Sequence, residues 1–116
     1  MPKPLGPYSQ AVRAGDFLIV SGQPGIDPVT GQTVEGGFEA EARQAFANLR
    51  AVLEAAGSGL EHVVKTTMFV ANADDLAASG RLYAEFFPID PPARSTPIVG
   101  LPRGLLLSIE AIAVVA

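Results

Sequence analysis

The pattern of the last strand limits the fold more than any other feature of the chain. From Leu105 to Val115 apolar residues dominate both alternating faces. One face is wholly apolar and consists of Leu105, Leu107, Ile109, Ala111, Ala113 and Val115. The other face holds only Ser108 and Glu110 as polar residues. A solvated antiparallel strand shows a polar outer face. We therefore expect helices to cover the first face and another subunit to cover the second, with Ser108 and Glu110 near that interface.

The strongest helical pattern runs from Glu39 to Ala56. Its apolar residues follow the spacing of one buried helix face: Ala42, Ala45, Phe46, Leu49, Val52, Leu53 and Ala56. Glu39 and Glu41 suit the positive N-terminus of this helix. Gly57 lies where a left-handed C-terminal cap is expected.

A second helix is predicted from about Asp75 to Phe87, with Asp74 as its N-cap. Its buried face should contain Leu76, Tyr83 and Phe87. Gly80 lies inside this helix, where glycine is less favourable than alanine by about 1 kcal/mol. The prolines that follow end the helix and stiffen the next loop.

The remaining segments predict strands and turns. A hairpin is expected from Gln10 to Val12 and Phe17 to Val20, ending at Ser21–Gly25, so that residues 21–37 are mostly loop. Val63–Val70 and Ser95–Leu101 are predicted strands, and Leu101–Gly104 is a turn. The order β-β-α-β-α-β-β predicts one α+β domain of 116 residues, with two helices on one face of a mixed sheet.

Composition excludes several functions. The chain has no cysteine, which excludes disulfides and thiolate nucleophiles. Its net charge is -4 and its 8 Lys and Arg residues are scattered, so nucleic acid is not an expected partner. His62 is the one histidine and is interpreted as a surface or packing residue. Met1–Pro4 lacks the apolar core of a signal peptide and no membrane span is predicted, so we expect a cytoplasmic protein.

Two stretches stand out as candidate sites. Gly6–Gln10 is a stiff turn that places Tyr8 near the chain start, where the ring could line a site or only pack. In Pro91–Pro97, prolines on both sides hold Arg94 in a rigid frame. The planar guanidinium of arginine matches a carboxylate. The alternative for Arg94, equally supported by composition, is a structural ion pair.

Several stretches carry a resemblance to a known family. They are Gly6–Ala11, Val20–Gln23, Asn48–Gly57, Val64–Val70, Tyr83–Phe87, Pro92–Thr96, Leu101–Gly104 and Ile109–Ala113. In this order and spacing, nearly end to end, they resemble the Rid (reactive intermediate/imine deaminase) family, formerly called YjgF. The resemblance implies a chorismate-mutase-like fold and a homotrimer with its sites between subunits. It also implies hydrolysis of 2-imino acids to 2-oxo acids and ammonia without metal or organic cofactor.

The resemblance assigns roles to individual residues. Arg94 matches the arginine that grips the substrate carboxylate. Tyr8, Ser21 and Gly22 match residues that line the cleft. Thr96 matches a position whose backbone contacts the substrate. Arg94, Thr96 and Ser108 are accordingly the candidate catalytic residues.

Two positions depart from the family pattern. Many active members have glutamate, thought to position the attacking water, where this chain has Ser108, and asparagine where it has Gly80. These departures keep open a non-catalytic role, in which the same cleft binds a small carboxylate. A third hypothesis, ribonuclease or translation inhibition, is disfavoured by the acidic chain and the lack of a general acid-base pair.

Overall fold

The computed structural model describes residue 6 and residues 8–116. The segment Met1–Pro4 and Pro7, on which parts of the sequence interpretation rest, lie outside these residues. The elements of the sheet and its helices are β1 (Ala11–Ala14), β2 (Phe17–Pro24), α1 (Gly37–Ala55), β3 (Val63–Val70), α2 (Leu76–Phe86), β4 (Ala93–Ser95) and β5 (Leu107–Val114). Across the sheet the order is β1-β2-β5-β3-β4, and every pairing is antiparallel except that of β3 with β4. The predicted α+β element order is confirmed.

One face of β5 forms the centre of the core, as its pattern predicts. Leu107, Ile109 and Ala113 have no exposed surface and belong to the same apolar cluster as Phe46 and Leu49 of α1. The predicted inward face is confirmed except at Val115, which lies beyond the end of β5 and is half-buried.

The C-terminus of α1 has the predicted cap. Gly57 has a φ of +86°, and its N–H donates to the carbonyl of Glu54 over 3.2 Å. The N–H of Ser58 donates to the carbonyl of Leu53 over 2.8 Å. These two bonds form a Schellman motif, for which glycine is suited because it adopts a left-handed conformation without strain.

The carboxylate of Glu41, near the N-terminus of α1, forms a hydrogen bond to the backbone in addition to its favourable position near the helix dipole. Glu41 is buried, and its Oε2 accepts a hydrogen bond from the N–H of Leu106 over 2.7 Å. Gly25 packs so closely on Glu41 that a Cβ there would lie 2.3 Å from the Glu41 carbonyl oxygen. This contact fixes the loop after β2 against the helix.

The end predicted for β2 is wrong. The strand continues through Ser21 and Gly22 to Pro24, which pairs with Ser108. Between Val20 and Gln23 the strand advances three residues while β5 advances two, which defines a β-bulge. Ser21 and Gly22, which were expected to end the strand, form this bulge within it. The buried side chain of Gln23 stabilises the continued strand by donating to Oε1 of Gln10 over 2.7 Å.

Two details predicted for α2 are also wrong. A 3-10 turn at Ala73–Asp75 precedes the helix, so Asp74 is not its N-cap, and Asp75 in that position makes no side-chain cap bond. Leu76 is 38% exposed because it begins the helix, whereas Ser79 and Leu82 join Tyr83 on the buried face. The predicted burial of Tyr83 and Phe87 is confirmed.

The bounds predicted for the strand at Ser95–Leu101 are wrong, because the observed strand is shorter and begins earlier in the chain. Only Ala93–Ser95 form β4, and beyond them Ile98 makes an isolated bridge to Val70. Pro97 has no N–H to donate, which interrupts the ladder there. Its carbonyl still accepts from the N–H of Val70 over 3.0 Å.

Candidate functional site

Arg94 lies on the edge strand β4 and reaches back over α2. Its backbone pairs with Thr66 of β3, and its guanidinium carbon lies 4.5 Å from the centroid of the Tyr83 ring. This distance is typical of a cation–π contact, and the guanidinium carries five N–H donors. Among the described residues no carboxylate pairs with Arg94. The structural ion pair considered from the sequence is therefore absent from this part of the chain.

The ring beneath Arg94 is itself fixed. The Tyr83 hydroxyl lies 2.7 Å from Oγ1 of Thr66, and both side chains are buried. Burial raises the pKa of Tyr83, and the hydrogen bond with Thr66 and the charge of Arg94 only partly offset that rise. Tyr83 is therefore a neutral, rigid platform for Arg94.

The sequence interpretation missed this role of Tyr83. A tyrosine at a buried helix position predicts a partner for its hydroxyl. The identity of that partner, and the position of Arg94 above the ring, depend on the pairing of β3 with β4.

A cleft opens beside Arg94. It has a volume of about 410 Å³ and lies between the end of α2 and the proline-rich loop. Tyr83 and Phe87, whose ring centroids are 4.7 Å apart, border it but are only 5 and 6% exposed. Pro88, Pro91 and Pro92 line the opposite side. The cleft thus joins one cation to an apolar surface, which suits a small carboxylate that carries a hydrocarbon group.

A second cluster holds Ser21, Gly22 and Ser108 near the bulge of β2, and Tyr8 lies on the segment bonded to Ser21. The N–H of Ser21 donates to the carbonyl of Gln10 over 2.9 Å, and its Oγ donates to the carbonyl of Ser9 over 2.6 Å. These bonds fasten the segment that carries Tyr8, whose side chain is half-exposed, to the sheet. A Cβ at Gly22 would lie 2.7 Å from Oγ of Ser108, so the absence of a side chain at Gly22 leaves space for the Ser108 hydroxyl.

One protomer does not bring the two clusters together. Ser108 lies between buried Leu107 and Ile109, so its side chain points to the sheet face opposite the helices. The guanidinium of Arg94 lies on the helix side, against Tyr83. Arg94 and Ser108 lie two strands apart across the sheet, a distance of about 10 Å. They are also offset by three residues along β3, which adds a second displacement of about 10 Å. A single small substrate cannot touch both within one chain.

The remaining candidate residues are placed as follows. Thr96 is half-buried just after β4. It lies two residues from Arg94 and is therefore grouped with it. Glu110 is exposed on the same face as Ser108 and is paired across the sheet with Thr67. His62 lies outside both clusters, with Nε2 3.6 Å from Oε1 of Glu61. In the described part of the chain no three His, Asp or Glu side chains converge as metal ligands, and no helix is long and apolar enough to cross a bilayer.

Comparison with known proteins gives consistent results. Residues 1–115 match the family model described as Endoribonuclease L-PSP. A RutC family protein of Pyrococcus horikoshii is 46% identical over 97% of this chain and 90% of its own length. The 2-iminobutanoate/2-iminopropanoate deaminase of Mus musculus is 45% identical over 97% of this chain and 84% of its own. The crystal structure of RidA from an Antarctic Psychrobacter superposes with a TM-score of 0.94 at 38% identity, covering 98% of this chain and 93% of that one.

Proposed function

Because the chain belongs to the Rid (YjgF/RidA) family, we propose that it hydrolyses reactive 2-imino acids to 2-oxo acids and ammonia. The observation that carries this proposal is Arg94, held over the Tyr83 ring beside an apolar cleft with no carboxylate partner among the described residues. A guanidinium whose N–H donors no described carboxylate occupies can bind a planar carboxylate. Relatives 41 to 45% identical carry the name 2-iminobutanoate/2-iminopropanoate deaminase.

The assembly belongs to the same proposal. The sheet face opposite the helices exposes large apolar side chains, each between 44 and 53% exposed: Val12, Phe17, Ile19 and Val64. Burying such a face in a homotrimer removes apolar surface from water. It also allows Arg94 and Thr96 of one subunit to meet Tyr8, Ser21, Gly22 and Ser108 of the next. The separation of the two clusters within one chain supports a site between subunits.

The chemistry requires little from the protein. Two parallel hydrogen bonds from Arg94 fix the carboxylate and hence the adjacent C=N carbon. Water adds to that carbon to give a tetrahedral amino alcohol. The C–N bond then breaks, the nitrogen leaves as ammonia, and the carbon becomes the carbonyl of the 2-oxo acid. The hydroxyls of Ser108 and Thr96 orient the water. Hydroxyls are poor bases near neutral pH, so turnover is slower than in relatives with a glutamate. No cofactor takes part in these steps, and we place them in the cytoplasm.

A coupled imine assay tests the proposal. An amino-acid oxidase generates 2-imino acids while semicarbazide traps what remains. We expect the wild type to lower semicarbazone formation and Arg94→Ala to lose this effect. Arg81→Ala is the matched control, because Arg81 is an exposed arginine of α2 that pairs with Glu39 of α1 over 3.1 Å. Full activity of Arg94→Ala would overturn the proposal.

One observation favours a second candidate function. Ser108 supplies no carboxylate to the attacking water, so the same cleft could hold a 2-oxo acid without converting an imine. A calorimetric titration with pyruvate, run beside the imine assay, separates the two functions. Saturable binding that needs Arg94, together with background turnover on every imine, would select the binding function.

The family model's description raises ribonuclease activity as a further alternative. The net charge of -4 and the 8 scattered Lys and Arg residues oppose RNA binding. RNA cleavage that survives repurification and is abolished by Arg94→Ala would support the ribonuclease hypothesis. Cleavage lost on repurification would dismiss it.

A further inference from the structure

The cleft beside Arg94 is larger than a small 2-imino acid requires. Its volume of about 410 Å³ falls within the range of roughly 300–1,000 Å³ typical of pockets for drug-sized ligands. An imino acid with a methyl or ethyl side chain would occupy a small part of this space. Within one subunit, the rest of the cleft is open to a larger group attached to the same carboxylate-bearing carbon.

Gly80 contributes to this space. It lies inside α2 and lines the cleft, and a Cβ built on it would meet nothing within 4 Å. It does not have a positive φ, so the backbone does not require glycine there. Glycine inside a helix is less favourable than alanine by about 1 kcal/mol. Neither local conformation nor close packing therefore requires glycine here, and the missing side chain leaves the cleft open at this position.

The walls of the cleft define the chemistry of what fits. Arg94 is the one charged residue among the described residues that line it. Tyr83 and Phe87 also line it, but both are buried and are only 5 and 6% exposed. Prolines complete the apolar lining. A carboxylate on Arg94 would direct an attached hydrocarbon group onto this apolar lining.

We propose that Gly80 is a specificity-determining residue, which opens the cleft to 2-imino acids with a large apolar or aromatic side chain. The inference rests on the proposed function, because it concerns the substrate of the same site. It predicts that the chain prefers imines derived from phenylalanine or leucine to those derived from alanine. Filling the space at Gly80 should reduce that preference.

The test compares two substitutions at Gly80 with a control on the same helix. Gly80→Asn places a polar side chain in the cleft, and Gly80→Ala adds a single methyl group. Ala77→Asn puts the same side chain on an exposed position of α2 that does not line the cleft. For each protein, kcat/KM is measured with phenylalanine-derived and alanine-derived imines, and calorimetry gives the affinities for phenylpyruvate and pyruvate.

We expect the wild type to favour the aromatic member of each pair. Gly80→Asn should lower that preference about tenfold, the size of effect that one methylene has in an apolar pocket. Gly80→Ala should lower it less, and Ala77→Asn should match the wild type. A preference that is the same in Gly80→Asn and the wild type would overturn the inference.

The two measurements also separate the inference from the proposed function. If no imine is converted but phenylpyruvate binds more tightly than pyruvate, and Gly80→Asn removes the difference, the deaminase proposal fails and the inference stands. If both imines are converted equally by the wild type and by Gly80→Asn, the inference fails and the deaminase proposal stands.

Discussion

The guanidinium of Arg94 lies over the ring of Tyr83, with 4.5 Å between the guanidinium carbon and the ring centroid. The Tyr83 hydroxyl in turn lies 2.7 Å from Oγ1 of Thr66, in the strand next to Arg94. A long side chain on an edge strand is thereby held in one place before any ligand arrives. Such preorganisation reduces the entropy lost on binding.

Tyr83→Phe separates the two functions of the tyrosine. It keeps the ring under Arg94 but leaves buried Oγ1 of Thr66 without its partner, so the free energy of unfolding should fall by about 1–3 kcal/mol. Pyruvate affinity should change less than in Tyr83→Leu, which removes the ring. Denaturant titration and calorimetry measure the two effects. Equal pyruvate affinity in Tyr83→Leu and the wild type would refute the platform role.

Alkaline pH should destabilise the fold through Tyr83. Burial raises its pKa above the ordinary value of about 10 in the unfolded chain. The folded state therefore keeps its proton where the unfolded state loses it. This contribution to stability is complete below pH ~10 and is lost as the pH rises through the folded pKa. The unfolding free energy of the wild type should fall more steeply above pH ~10 than that of Tyr83→Phe; parallel curves would count against the prediction.

The contact between Gly22 and Ser108 predicts a coupled pair. Gly22→Ala places a Cβ 2.7 Å from Oγ of Ser108, an overpacking that should cost about 1–3 kcal/mol of stability. Ser108→Ala removes the clashing atom and leaves its Cβ at 3.9 Å, an ordinary contact. The double variant should therefore be more stable than Gly22→Ala alone. Additive losses in a double-mutant cycle measured by denaturation would show that the contact does not exist.

Ser108→Glu tests the reason given for slow turnover. A carboxylate at this position could position and activate the attacking water, and general base catalysis typically contributes about 10²–10⁴-fold. We expect kcat for imine hydrolysis to rise by at least about tenfold. Glu110→Gln is the control, since Glu110 is exposed two residues further along the same face. An unchanged or lower kcat in Ser108→Glu would show that position 108 does not limit turnover.

Much of the fold follows from local patterns. The bounds of β3 are predicted because its run is apolar and β-branched, and α1 is predicted to within two residues because its period persists over many turns. The bulge at Ser21 and Gly22 is not predictable in this way. It depends on the pairing of Gln23 with Gln10 and Ile109, which only the assembled sheet provides. The early end of β4 reflects Pro97, whose effect on the ladder the sequence interpretation underestimated.

In the candidate site, too, the sequence predicts the residues but not their tertiary contacts. Motifs and a family resemblance predict the candidate residues Arg94, Tyr8, Ser21, Gly22, Thr96 and Ser108. The sequence does not reveal that Ser108 touches Gly22, because that contact requires β2 to pair with β5. Nor does it reveal that Tyr83 supports Arg94, because that requires the edge strand to lie beside α2. These arrangements arise from tertiary structure.

The most direct test of a site shared between subunits is complementation. Arg94→Ala and Ser108→Tyr, which covers the surface next to Gly22, are each expected to fold and to lack imine hydrolysis. Unfolded together in equal amounts and refolded, they should recover about a quarter of the activity of wild type treated in the same way, because random assembly restores one intact interface in four. Activity that stays at the level of either variant alone, while the wild type recovers, would contradict a site built from Arg94 of one subunit and Ser108 of another.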